Sequence, residues 1–213
     1  MSNGAIVLID LRADKSVLVT LDHALERHRG ARRCGGTWLS LPRRIYLDTS
    51  TLQKLYDFGG EIFEGKPFEP VGRAARVQGL ADEIDALQKI FVVNEQAMFE
   101  FVVTEASLGE VVNRTRPGYT QWVYDVLDTW LIQSKGEVPP EPGRTLEDRR
   151  FGMISVKDRR LLQEALDWRC DAFMTMERRL PTAAAFIERQ TGLQVMRPTT
   201  HWDLLRRFAR LYY

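Results

Sequence analysis

The chain has 213 residues, 44% of them hydrophobic and 28% charged, with a formal net charge of +1. This composition excludes a disordered or globally polybasic chain, so any surface for a polyanion must come from local clustering of arginine. Cys34 and Cys170 stand far apart and outside zinc-ligand spacing, which excludes a disulfide framework, and no apolar run approaches the roughly 20 residues that span a bilayer.

With no signal-peptide pattern at Met1–Arg12, a cytoplasmic location without membrane attachment is expected. Residues 1–42 differ from the rest. Ala5–Ile9 and Ser16–Thr20 are β-rich runs around the polar turn Arg12–Lys15, a pattern that predicts a hairpin. A basic cluster, Arg27–Arg33, follows and ends at Gly35-Gly36. The division expected is an N-terminal extension over 1–42 and an α/β domain over 43–213.

The stretch Arg43–Thr51 organises that domain. Ile45-Tyr46-Leu47 reads as a short buried strand, and Asp48 followed by three hydroxyl residues stands where the strand gives way to a helix. An acid there suits either a helix cap or a site at the carboxyl end of a parallel sheet. The following helix is expected to stop at Gly59-Gly60, and Gly65–Gly72 reads as loop. Arg73–Phe91 predicts a packing helix, with Val77, Leu80, Ala81, Ile84, Leu87 and Gln88 inward and Asp82, Glu83 and Asp85 on the opposite face.

Phe99–Val103 predicts a second strand, and Thr104 is a natural cap for a helix reaching to about Thr115. Within it Glu105 shares the stripe of Leu108 and Val112, which turns a carboxylate toward the core. Tyr119–Gln133 predicts another amphipathic helix, and the Pro- and Gly-rich Ser134–Gly152 a loop. Ser155-Val156-Lys157-Asp158 reads as a capping box, yet Asp158 also heads the apolar stripe of Leu161, Leu162 and Ala165. Ala172–Met176 predicts a third strand, again ending at an acid, Glu177. Asp171, at its start, is expected at the other end of the sheet in a structural role. A helix from Thr182 to Gly192, a fourth strand over Leu193–Met196 and a terminal helix over His201–Leu211 complete the chain.

Strands alternating with helices imply a central parallel sheet of four to five strands covered on both faces. Asp48 and Glu177 at strand ends, and Glu105 and Asp158 at helix starts, can then meet at one edge. Carboxylates without His or Cys suit a hard ion, Mg²⁺ or Mn²⁺. The Arg pairs 159–160 and 178–179 directly follow two of these acids, and Arg149 lies in the preceding loop. Arg43, Arg149, Arg159 and Arg178 are expected to form a positive rim around the acids that suits a polyanion.

From Arg43 onward the chain resembles the PIN-domain family of metal-dependent ribonucleases, many of them toxins of toxin-antitoxin pairs. The resemblance rests on Ile45–Ser50, Val103–Ser107, Asp158 opening its helix, and Phe173–Glu177. It implies a PIN-like α/β fold, an endoribonuclease that hydrolyses RNA phosphodiesters, and Mg²⁺ or Mn²⁺ held by Asp48, Glu105 and Asp158. Glu177 would be the fourth catalytic acid, with Ser50 and Thr175 as polar support. RNA, an antitoxin protein and a second copy of the chain are the partners it implies. Glu177 departs from the family's usual Asp, and Ser50 from a frequent Asn. That departure, with the extension, motivates an alternative, a catalytically weak or inactive PIN-like module that binds RNA or a protein partner. A phosphotransferase using Asp48 as nucleophile ranks lower, because Asp48-Thr49-Ser50 lacks a second acid two residues on.

Overall fold

The structure is a computed structural model that describes residues 41–72, 74–97, 99–104, 106–108, 118, 121–122, 146 and 151–209. By contacts the chain divides into two compact units, Met1–Leu41 and Pro42–Tyr213. The expected hairpin, the body of the Tyr119–Gln133 helix, nearly all of the 134–150 loop, and both Glu105 and Arg149 lie outside the described residues.

Four short strands, β1 (Arg44–Leu47), β2 (Glu100–Val102), β3 (Ala172–Met174) and β4 (Gln194–Met196), form a parallel sheet in the order β2-β1-β3-β4. Ile45, Tyr46 and Leu47 are fully buried, as a central parallel strand covered on both faces requires. Register sets Val102, Tyr46, Phe173 and Val195 in one row across the sheet, and the Tyr46 and Phe173 rings stack at 5.3 Å. Strand alternation turns Ile45, Leu47 and Phe101 to the other face.

Six helices accompany the sheet among the described residues: α1 (Thr49–Asp57), α2 (Gly59–Phe63), α3 (Leu80–Ala97), α4 (Val156–Asp167), α5 (Ala184–Thr191) and α6 (Pro198–Ala209). Leu161, Leu162 and Ala165 of α4 and Ile187 of α5 pack into one core with the Tyr46 row. On the opposite face the Phe91 ring of α3 meets Phe101 at 4.8 Å, and His201 of α6 meets Phe99 at 5.7 Å. The domain is therefore an α/β sheet with helices on both faces. None of the described helices is long and apolar enough to cross a membrane.

Local signals locate several boundaries. Ser155 accepts the Asp158 N–H at the start of α4, and Gly192 closes α5 at φ +81°, a conformation that glycine adopts without steric cost. The helix after Asp48 ends as expected, at its C-cap Phe58 directly before Gly59-Gly60, and the two glycines open a separate short helix, α2, whose Ile62 is buried in the core. Two expectations are corrected. The helix expected from Arg73 begins only at Leu80, because Gly79 takes φ +73° just before it. Glu83, expected on the outer face, is only 3% exposed. Its carboxylate accepts the Thr199 N–H and hydroxyl at the start of α6 and pairs with Arg197 at 3.1 Å.

Candidate active site at the carboxyl edge of the sheet

In a sheet ordered β2-β1-β3-β4 the chain leaves β1 toward one side for β2 and crosses to the other for β3. The two crossovers diverge between β1 and β3. The crevice beyond the carboxyl ends of such neighbours is where open α/β sheets bind ligands. Here the Thr49-Ser50-Thr51 run draws three strand ends together. Thr49 donates its hydroxyl to the Ser107 carbonyl beyond β2 at 2.9 Å, and Thr51 donates to the Met174 carbonyl of β3 at 3.0 Å. The Asp48 N–H also donates to Met174 O at 3.2 Å.

Asp48 sits at the centre of this junction. Its side chain caps α1 by accepting the Thr51 N–H at 2.8 Å, so the capping function read from sequence is real. It also accepts the Thr175 hydroxyl at 2.6 Å and the Ser50 hydroxyl at 2.8 and 3.0 Å. Those hydroxyls are held in turn by backbone N–H groups, Met176 donating to Ser50 at 2.9 Å and Glu177 to Thr175 at 3.0 Å. Ser50 and Thr175, named from sequence as polar support, thus orient Asp48 directly.

Every donor to Asp48 is neutral. The residue is 5% exposed, and burial pushes its pKa up to about 6 although the Thr175, Thr51 and Ser50 hydrogen bonds pull it down. A carboxylate so placed carries a charge near neutral pH that no described cation offsets. Carboxylate and hydroxyl oxygens are the donors that a hard divalent ion takes, so the oxygens of Asp48, Ser50 and Thr175 are of the right chemical kind for one. Among the described residues no three His, Cys, Asp or Glu side chains gather to hold an ion. Glu105, one of the three ligands that the resemblance implies, lies outside those residues.

The other named residues divide. Asp158 is half-buried in the first turn of α4, where its N–H donates to Ser155 Oγ at 3.1 Å and its carboxylate accepts the Ser155 hydroxyl at 2.7 Å. Glu177 is exposed immediately after the Thr175 that binds Asp48. Arg159 is half-buried, and Arg178 is exposed with its guanidinium donating to Gln78 O at 2.5 Å. Arg43 starts from the far end of β1: its backbone N–H donates to the Asp171 carboxylate at 3.1 Å at the amino edge, a strand's length from Asp48. Asp171 also accepts the Arg44 N–H, so it ties the starts of β1 and β3 as expected.

One polar residue beside this edge escaped the sequence reading. Glu164 of α4 accepts hydroxyl hydrogens from Tyr46, at 3.0 Å, and from Thr104 beyond the end of β2. Burial, reinforced by the Glu164 charge, raises the Tyr46 pKa. The available signal was Tyr46 itself, since a buried phenol needs a hydrogen-bond partner.

The chain matches no family model, no curated protein and no solved structure. Its own geometry therefore carries the functional reading.

Proposed function

We propose that residues 43–213 are a PIN-like, Mg²⁺- or Mn²⁺-dependent endoribonuclease in the cytoplasm, with Asp48 as the central acid. The observation that carries this is a buried carboxylate at the switch point of a parallel sheet, held by three neutral donors and by no described cation. Removing a charge from water without compensation is costly, and the cost is understandable where a cation completes the site. Asp48, Glu105 and Asp158 would hold the ion, with Glu177 beside them. The bound ion would supply charge stabilisation for the scissile phosphate and a hydroxide at neutral pH.

Ser50 and Thr175 keep the Asp48 oxygens in one orientation, and the cations Arg149, Arg159 and Arg178 would contact RNA phosphates. An antitoxin protein and a second copy of the chain are the partners consistent with this reading. The test is cleavage of mixed RNA with Mg²⁺, Mn²⁺ or EDTA, comparing the parent with Asp48→Asn. Metal-dependent cleavage by the parent and none by the variant is expected; equal cleavage by both would reject the assignment.

One observation favours the alternative of a weak or inactive module that binds RNA or protein. Both Asp48 oxygens already accept hydrogen bonds, and Asp158 is engaged by Ser155. RNA binding retained without any metal-dependent cleavage would select that reading.

A further inference from the structure

The nuclease reading leaves unused the polar cluster on the α4 face of the sheet. Tyr46 Oη and Thr104 Oγ1 lie 2.7 Å apart, and both hydroxyls reach the same oxygen of Glu164. The cluster joins three elements. Tyr46 is two residues before Asp48 on β1, Thr104 follows β2, and Glu164 is on α4, six residues after Asp158. At about 1.5 Å of rise per residue, that spacing sets Asp158 about 9 Å further along the helix axis.

Apolar packing of Leu161, Leu162 and Ala165 would hold α4 against the sheet by itself, but dispersion contacts are non-directional and tolerate sliding. Two hydrogen bonds converging on one carboxylate oxygen fix a helix along its axis as well. We propose that Glu164 is a positioning residue. It locks the height of α4 on the sheet through Tyr46 and Thr104, and so sets where the first turn of α4, with Asp158, stands relative to Asp48. This rests on the reading of Asp48 and Asp158 as parts of one ion site.

Thr104 is itself built as a rigid corner, which makes the anchor stiff. Its N–H donates to Ser107 Oγ at 3.1 Å, Ser107 Oγ donates back to Thr104 O at 2.9 Å, and the Leu108 N–H donates to the same carbonyl at 3.1 Å. Arg160 approaches Glu164 no closer than 3.9 Å and is largely exposed, so the two hydroxyls rather than an ion pair orient the carboxylate.

The experiment compares the full chain with Glu164→Gln and Tyr46→Phe by two readouts. The first is amide hydrogen exchange at Ser107, Leu108 and Arg159, which needs no ion. The second is Mg²⁺ titration by calorimetry. Glu164→Gln is expected to speed exchange at these amides about tenfold and to weaken Mg²⁺ binding about tenfold, the lower end of the effect for outer partners of a metal site. Tyr46→Phe should shift both less, because the Thr104 bond survives. Unchanged exchange in Glu164→Gln would overturn the proposal, and so would an Mg²⁺ affinity that the variant leaves intact. A parent that binds no Mg²⁺ would instead reject the ion site, while faster exchange in the variant would still uphold Glu164 as the anchor of α4.

Discussion

Two carboxylates are buried among the described residues, Glu83 and Asp48, and they are treated in opposite ways. Glu83, between α3 and α6, meets a guanidinium, a hydroxyl and a helix N–H, so its charge is neutralised where it is buried. Asp48, at the carboxyl edge of the sheet, is buried to a similar degree among hydroxyls and one N–H, all neutral. Glu83 is what a structural acid looks like: its partner comes from the same fold. Asp48 is left with an excess of negative charge at the one crevice where the topology invites a ligand.

The largest expected effect tests the structural side of this contrast. Glu83→Ala strands Arg197 and uncaps α6, and breaking such a pair costs about 3 kcal/mol or more. Urea denaturation at neutral pH measures it; a loss under about 1 kcal/mol would mean that Glu83 does not hold α3 to α6.

Asp48 should respond with the opposite sign. Its pKa is raised from 3.8 to about 6, so the folded protein binds a proton that the unfolded chain has released, and stability from this group falls as pH rises through that window. Asn caps a helix as well as Asp does. Asp48→Asn should therefore match the parent near pH 4 in EDTA and gain up to roughly 3 kcal/mol over it above pH 6. A variant less stable than the parent at pH 7.5 would put Asp48 in the same class as Glu83.

His201 provides a mirror image. Burial lowers its pKa from 6.5 to about 4, and neither ring nitrogen has a hydrogen-bond partner among the described residues. Here the unfolded chain binds the extra proton, so stability from this group rises between pH 4 and 6.5. Relative to its own offset from the parent at pH 7.5, His201→Leu should improve by about 2 to 3 kcal/mol as pH falls to 4. Denaturation curves at these two pH values check it, and an offset independent of pH would contradict the buried neutral imidazole.

The smallest effect belongs to the rim. Arg178→Ala removes an exposed cation and should change stability by less than about 0.5 kcal/mol. RNA affinity should fall with salt, and the logarithmic slope should lose about one unit in the variant. An affinity indifferent to salt would leave Asp48 without a polyanionic substrate to explain its exposed neighbours.

The sequence by itself determined what short-range chemistry encodes. The run Ile45-Tyr46-Leu47 had to be a covered strand, Asp48 and Ser155 had to cap helices, Gly192 had to end one, and the alternation of strands and helices had to give a parallel sheet. Asp48 stood out because it lies just beyond a strand end, where a parallel sheet collects its functional groups, whereas Ser50 and Thr175 entered only through the family resemblance and are seen in the fold to hydrogen-bond Asp48. The tertiary structure alone decided which side chains meet across long separations. Periodicity put Glu83 with its acidic neighbours on the outer face of α3; its partners stand more than a hundred residues away, and only the docking of α6 turns that side chain into the interior. Glu164 carried no reading from the sequence, because Tyr46 of β1 and Thr104 beyond the end of β2 converge on it only in the fold. Arg43 is five residues from Asp48 in sequence but at the opposite edge of the sheet, because an extended chain carries its ends apart at about 3.3 Å per residue. Hydrogen bonds within a turn follow from the residues that make them, whereas a partner across the fold follows from strand order, and strand order is set by the packing of the whole domain.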